Sequence, residues 1–267
     1  MDDSRWALPD LNSALKWCKD RNAQGICCTL DVLGEDISSE KHAEQTTETI
    51  LYCSQVLNEM DLDAAVAVKL SNLGVTNNKN SAKKHLLRIL KETIDLNPNI
   101  EIDMEGTPLI DFTLQVALEC AKENYYVTLA LQAYLDRTIE DIETALDNDI
   151  SIRLVKGAYI GDTNDFREIQ DKFKTCFRTL FESDKHFSVG THDLELIEWI
   201  KEIAKEQNDL FEFGFLMGLA DETKLNLVHD GWAVVEYVPY GIDTKAYVTR
   251  RMRYLKTLEN NGRKPAP

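Results

Sequence analysis

The chain has 267 residues, 43% of them hydrophobic, and a formal net charge of −16. That length is long for one average domain but suits a single α/β barrel, and the apolar content is enough for a full core. The acidic excess, 46 Asp and Glu against 30 Lys and Arg, argues against nucleic acid, whose phosphates call for a basic footprint, and against broad adhesion to anionic lipid.

Residues 1–24 read as an N-terminal helical segment, with a helix near 10–21. The opening Met1-Asp2-Asp3-Ser4-Arg5-Trp6 lacks the basic and apolar regions of a secretory signal. From there one theme repeats: a short apolar or β-branched run, a loop, then an amphipathic helix. Strands are predicted near 25–30, 64–70, 100–104, 126–131, 150–155, 187–190, 211–215 and 233–237. Helices are predicted near 39–59, 80–95, 109–123, 138–147, 164–183, 192–206, 221–228 and 243–258. Start signals stand at Ser38-Ser39-Glu40, Asp221-Glu222-Thr223 and Asp243. Asn72–Ser81 reads as a long loop, and 260–267 as a flexible tail.

Continuous apolar strands separated by helices imply a parallel sheet covered on its faces. Eight such units predict an α/β fold, a (β/α)8 TIM barrel over 25–259, with an open eight-stranded sheet as the alternative. No G-x-G-x-x-G follows the first strand and no P-loop occurs, so neither phosphate-binding motif is supported. His42, His85, His186, His192 and His229 are scattered, with no ligand spacing for a metal. No Ser or Cys has a nucleophile-elbow context. The six cysteines fall in apolar segments without C-x-x-C spacing and read as buried free thiols. No apolar run is long enough to span a membrane, so a cytoplasmic protein is expected.

In such a barrel the active site lies at the carboxyl ends of the strands. That rule collects Lys69, Asp103, Glu105, Gln132, Tyr134, Arg153, Lys156, Gly157, Ala158, Tyr159, Thr191, His192, Leu216 and Tyr237. Each has an ordinary alternative. Lys69 or Arg153 could form a barrel-interior ion pair with Asp103 or Glu105, His192 could cap a helix, and Tyr134 and Tyr159 could simply pack. Together, donors ringing one mouth among small residues suit a planar polyanionic cofactor. On the last helix Tyr247 precedes Arg250 by three residues and Arg251 by four, so its ring can sit against either guanidinium. Two cationic forks beside an aromatic wall suit a small carboxylate on an apolar body.

These residues fall into a recognisable set. Arg153-Leu-Val-Lys156-Gly157-Ala158-Tyr159, Thr191-His192, Phe211-Glu212-Phe213 with Leu216 and Gly218, Tyr237-Val-Pro-Tyr-Gly241 and Tyr247-x-x-Arg250-Arg251 resemble the proline dehydrogenase family. So do Thr29–Glu35, Val68–Gly74, Ile102–Glu105 and Leu131–Tyr134 upstream, and the likeness spans about residues 25–252. The resemblance implies a distorted (β/α)8 barrel that binds FAD and oxidises L-proline to pyrroline-5-carboxylate. Electrons would pass to a quinone, with peripheral contact at the inner face of a membrane. It implies that Arg250, Arg251 and Lys69 hold the substrate carboxylate, and that Tyr237, Tyr247 and Leu216 enclose the ring with Asp103 nearby. Gln132, Arg153, Val155, Lys156, Gly157, Ala158, Thr191 and His192 would face the flavin. The chain departs from the family pattern at Ile160, Asp193, Gly214, Met217 and Tyr254, the last standing where a Glu is usual. The alternatives are a relative acting on hydroxyproline or a modified proline, or a barrel that binds without turnover.

Overall fold

The computed structural model describes residues 5–34, 37, 39–96, 99–159 and 161–267. Glu35, Ser38 and Ile160, singled out in the sequence, lie outside them.

Eight parallel strands close on themselves in chain order. They are Cys27–Val32 (β1), Ala64–Val68 (β2), Ile100–Ile102 (β3), Val127–Gln132 (β4), Ser151–Val155 (β5), Phe187–Gly190 (β6), Phe211–Leu216 (β7) and Ala233–Tyr240 (β8). The ring shuts where β1 pairs β8, from Cys27 opposite Val235 to Val32 opposite Tyr240. Helix Leu11–Asn22 (α1) precedes the barrel. Around it run Glu40–Glu59 (α2), Lys79–Thr93 (α3), Ile110–Lys122 (α4), Thr138–Asp147 (α5), Phe166–Glu182 (α6), Leu194–Ile203 (α7), Asp221–His229 (α8) and Lys245–Asn260 (α9). The expected (β/α)8 barrel is therefore the fold, and the open sheet is not.

Strand side chains alternate between two faces, and here the two differ in chemistry. Leu30, Val66, Ile102, Leu129, Leu154 and Val189 are fully buried in the apolar core shared with the helices. The intervening positions bond across the ring. Thr29 of β1 donates to Glu101 of β3 at 2.7 Å, and Arg153 of β5 approaches Glu101 at 2.8 Å. Neither pair is adjacent in the sheet, so both contacts cross the interior. The inward face thus carries polar side chains on β1, β3 and β5, where continuously apolar strands were expected, whereas β2, Ala64–Val68, is apolar throughout.

Ends differ from expectation in instructive ways. Ser39 caps α2 by accepting from the His42 N–H. Asp221, expected to start α8 as a cap, is instead its first residue, behind Ala220 in the left-handed region. Its carboxylate is taken by Arg21 at 2.5 Å and Lys224 at 3.0 Å. Helix α9 begins after Thr244 with no side-chain cap, two residues past the expected Asp243. Strand β8 continues beyond Tyr237 to Tyr240, because Leu8 N donates to Pro239 O and Leu33 N to Tyr240 O. Proline is tolerated there because the strand needs its carbonyl and not an N–H.

At the barrel foot Glu236, fully buried, receives Trp17 Nε1 at 2.6 Å and Arg21 Nε at 3.2 Å and pairs with Lys224. This fastens α1 to β8. The tail expected to be flexible is held at its end. Ala266 is buried and donates to His192 O at 2.9 Å, while Pro267 O accepts from Thr223 N at 2.9 Å. All six cysteines are free; Cys27 is half-buried and the others are buried.

Candidate active site

A cavity with about 1040 Å³ of free space, its mouth included, opens at the carboxyl ends of the strands. Lys69, Asp103, Leu216, Tyr237, Tyr247, Arg250, Arg251, Gln132, Arg153, Val155, Lys156, Gly157, Ala158, Thr191 and His192 all line it, as does Tyr159, whereas Glu105 and Tyr134, collected by the same strand-end rule, do not. The strands and the loops after them supply one wall, and α9 supplies the other.

The deepest part is an ion network. Lys69 follows β2 directly, and its ammonium meets Asp31 at 2.6 Å, Asp103 at 3.0 Å and the Tyr237 hydroxyl at 3.0 Å. Tyr237 in turn donates to Asp103 at 2.5 Å. Arg153 joins Asp103 at 2.5 Å. The interior ion pairs therefore run to Asp31, Glu101 and Asp103. Glu105, considered above as a partner, lies past the end of β3 and instead accepts from Ser71 N and Oγ.

Burial works against ionising Asp103, yet Lys69 and Arg153 hold its carboxyl well below the usual range. Asp31 goes the other way: complete burial raises it, against the pull of Lys69. One oxygen of Asp31 has no hydrogen-bond partner. Burial, then the charges of Asp103 and Asp31, keeps the Tyr237 phenol firmly protonated. Burial also lifts Glu105 to about 7.

A second cluster lines the β4–β6 side. The Gln132 amide is fixed on both sides: Nε2 donates to Glu105 O at 3.1 Å, while Oε1 accepts from Tyr134 Oη at 2.9 Å. The Tyr134 ring fills the space over Gly157, where a Cβ would stand 1.6 Å from it. Gly157 has φ +133°, so both shape and backbone call for glycine. Lys156 pairs with Asp193 at 2.6 Å, and Gln170 donates to the same oxygen at 2.8 Å. His192 accepts the Leu216 N–H on Nε2 at 2.9 Å, which leaves Nδ1 to carry the ring proton. Burial, then Arg251, Lys224 and Lys156, push it down to about 3, so it is neutral at physiological pH.

Across the cavity, Tyr247, Arg250 and Arg251 share one face of α9. The Tyr247 ring lies under Arg251, 4.7 Å from the guanidinium carbon, while Arg250 lies over Tyr159 at 4.9 Å. The tyrosine thus chose the residue four positions on. Two guanidinium groups on aromatic rings thus line the same cavity as Tyr237, an arrangement whose charge suits a small anion.

A sequence profile described as proline dehydrogenase matches residues 14–263. The chain belongs to the proline dehydrogenase family. Proline dehydrogenase 1 of Bacillus subtilis subsp. natto is 33% identical over 249 residues, covering 91% of this chain and 82% of that one. Proline dehydrogenase of Deinococcus radiodurans is 27% identical with the same coverage. Among solved structures, proline utilization A from Bdellovibrio bacteriovorus superposes with a TM-score of 0.86 over 95% of this chain, at 21% identity. This chain spans only 32% of that longer protein, and at such identity the likeness is one of fold.

Within this family fold, several lining residues had been given no site role from the sequence, although Gly214 and Tyr254 were noted there as departures from the family pattern. Thr29, Gly190, Gly214 and Val235 are interior strand positions, legible from alternation once one neighbour is placed. Tyr254 follows Tyr247 by seven residues, two helical turns, and so extends the same stripe. Asp31 carried no local signal of its role, because its partner lies 38 residues away.

Proposed function

We propose that the chain oxidises L-proline to pyrroline-5-carboxylate with FAD held in this cavity. The observation that carries the reading is that Arg250 and Arg251 of α9 line one cavity together with Tyr237 and Leu216 of the strands. A proline-sized ligand has one carboxylate and one apolar ring, and the two walls suit those two parts. The residues present also fit a flavin. Arg251 Nε and the Tyr247 and Tyr254 hydroxyls are buried polar atoms without partners, which a ligand would satisfy. Gly190 and Gly214 strip side chains from the β6–β7 wall, where a Cβ on Gly190 would stand 3.0 Å from Val155.

On this reading Gln132, Arg153, Val155, Lys156, Gly157, Ala158, Thr191 and His192 would hold the cofactor. FAD, when bound, supplies a hydride acceptor at its N5 and a route for electrons to a quinone. The chain's own task is orientation. Arg250 and Arg251 would grip the carboxylate with charge-assisted hydrogen bonds, each worth about 1.5–3 kcal/mol. Tyr237, Tyr247 and Leu216 would enclose the ring and exclude water. Lys69 already meets Asp31, Asp103 and Tyr237, so its part is to fix that wall while completing the anion pole. Asp103, held anionic by two cations, would serve as a fixed negative charge near the ring nitrogen and not as a base. Because a quinone resides in lipid, the reading includes a cytoplasmic protein meeting the membrane only peripherally. Among the described residues no helix is long and apolar enough to cross a membrane.

The test is direct. The purified protein is reconstituted with FAD, and L-proline is added without oxygen. Bleaching of the flavin absorption is expected. Failure to bind flavin would sink the reading, and bleaching by hydroxyproline or a modified proline but not by proline would move the substrate.

A further inference from the structure

Tyr254 stands on the cavity face of α9, two turns past Tyr247. Its ring packs near His192, with centroids 5.8 Å apart. Its hydroxyl oxygen is shut off from solvent and has no hydrogen-bond partner, and neither has Nε of Arg251 three residues earlier. Buried phenols are usually paired, because a desolvated hydroxyl has lost its water for nothing in return.

The neighbouring acceptors are engaged elsewhere and do not take its proton. His192 spends its acceptor nitrogen on the Leu216 N–H. Asp193, whose charge the phenol feels, is already engaged by Lys156, Gln170 and the Glu195 N–H. Arg251 and Lys156 both bear on His192 at this end of the cavity, with Asp193 paired to Lys156 at 2.6 Å. A donor set in such surroundings suits an oxygen that is anionic or strongly polar.

We propose that Tyr254 is a cofactor-binding residue of this chain. Its phenol donates a hydrogen bond to an acceptor oxygen on the sugar–phosphate arm of the flavin nucleotide, with Arg251 Nε–H as a second donor. This rests on the reading of the cavity as a flavin site. A residue that only packs would use its ring and leave the hydroxyl idle.

Wild type and Tyr254→Phe are stripped of flavin and titrated with FAD, following the quenching of flavin fluorescence. Melting temperatures are taken with and without FAD. The phenylalanine variant is expected to bind FAD about tenfold more weakly. Without FAD it should melt no lower than wild type, because only an unpaired hydroxyl is lost, and FAD should stabilise it less. Affinity within twofold of wild type overturns the proposal. So does a variant that melts several degrees lower without FAD yet binds it equally well, which would make the residue structural. If wild type itself takes up no FAD, the flavin reading falls and this assignment falls with it.

Discussion

Replacing Lys69 by methionine tests the ion network at the cavity floor. The methionine keeps the apolar stem and removes the charge. Asp103 retains Arg153 at 2.5 Å and the Tyr237 hydroxyl at 2.5 Å. Asp31 loses the one cation paired with it among the described residues, at a position with no solvent exposure. An uncompensated buried charge costs about 3–5 kcal/mol, but protonation caps the cost. At pH 7, protonating a carboxyl whose unfolded pKa is about 3.9 costs about 4 kcal/mol, and at pH 5 about 1.5 kcal/mol. Burial already raises Asp31 with Lys69 in place, so these figures are ceilings. The sign follows from a raised folded pKa. Stability is retained below the unfolded pKa and lost as pH rises through the folded one. Urea unfolding at pH 5 and pH 7 should therefore show Lys69→Met losing markedly more at pH 7. Adding Asp31→Asn should recover most of the loss. An equal loss at both pH values, or no recovery, would refute the reasoning.

Three further outcomes are expected. Arg250→Met should raise KM for proline by at least about a hundredfold, the worth of two charge-assisted bonds, while the bound-flavin spectrum stays unchanged; a stripped flavin would mean that Arg250 serves the cofactor. Gly157→Ala should cost about 2–5 kcal/mol, since its Cβ would collide with the Tyr134 ring at a φ of +133°. An unshifted melting temperature would contradict that. His192 titrates at about 3 when folded and at 6.5 when unfolded, so acid favours the unfolded chain increasingly below pH 6.5. That amounts to about 2 kcal/mol at pH 5. His192→Gln should lose less stability than wild type between pH 7 and pH 5, and identical losses would exclude the assignment.

Much of the architecture was legible because it rests on local pattern. Each strand shows as a short run of mainly β-branched or apolar residues, each helix as a longer amphipathic one, and eight alternations leave a closed barrel as the compact arrangement. The stripe Tyr247, Arg250, Arg251 follows from helical spacing, and the seven-residue step to Tyr254 was readable by the same rule. Cap positions were less secure. Asp221 does open its helix as expected, but it caps nothing, because Arg21, 200 residues away in sequence, draws its carboxylate.

By itself the sequence determined the order of elements, the end of the barrel where the candidate cavity opens and the residue types gathered there. Which charges satisfy one another was decided only by the closed ring. Tyr237 on β8 and Asp103 just past β3 are 134 residues apart and belong to strands that are not neighbours, yet they meet across the interior. Glu105 looked as eligible as Asp103 in the sequence. Asp103 follows β3 on the face turned inward, whereas Glu105 lies beyond the strand and turns to Ser71. Strand alternation tells which residues share a face, and only closure of the barrel brings that face against its opposite.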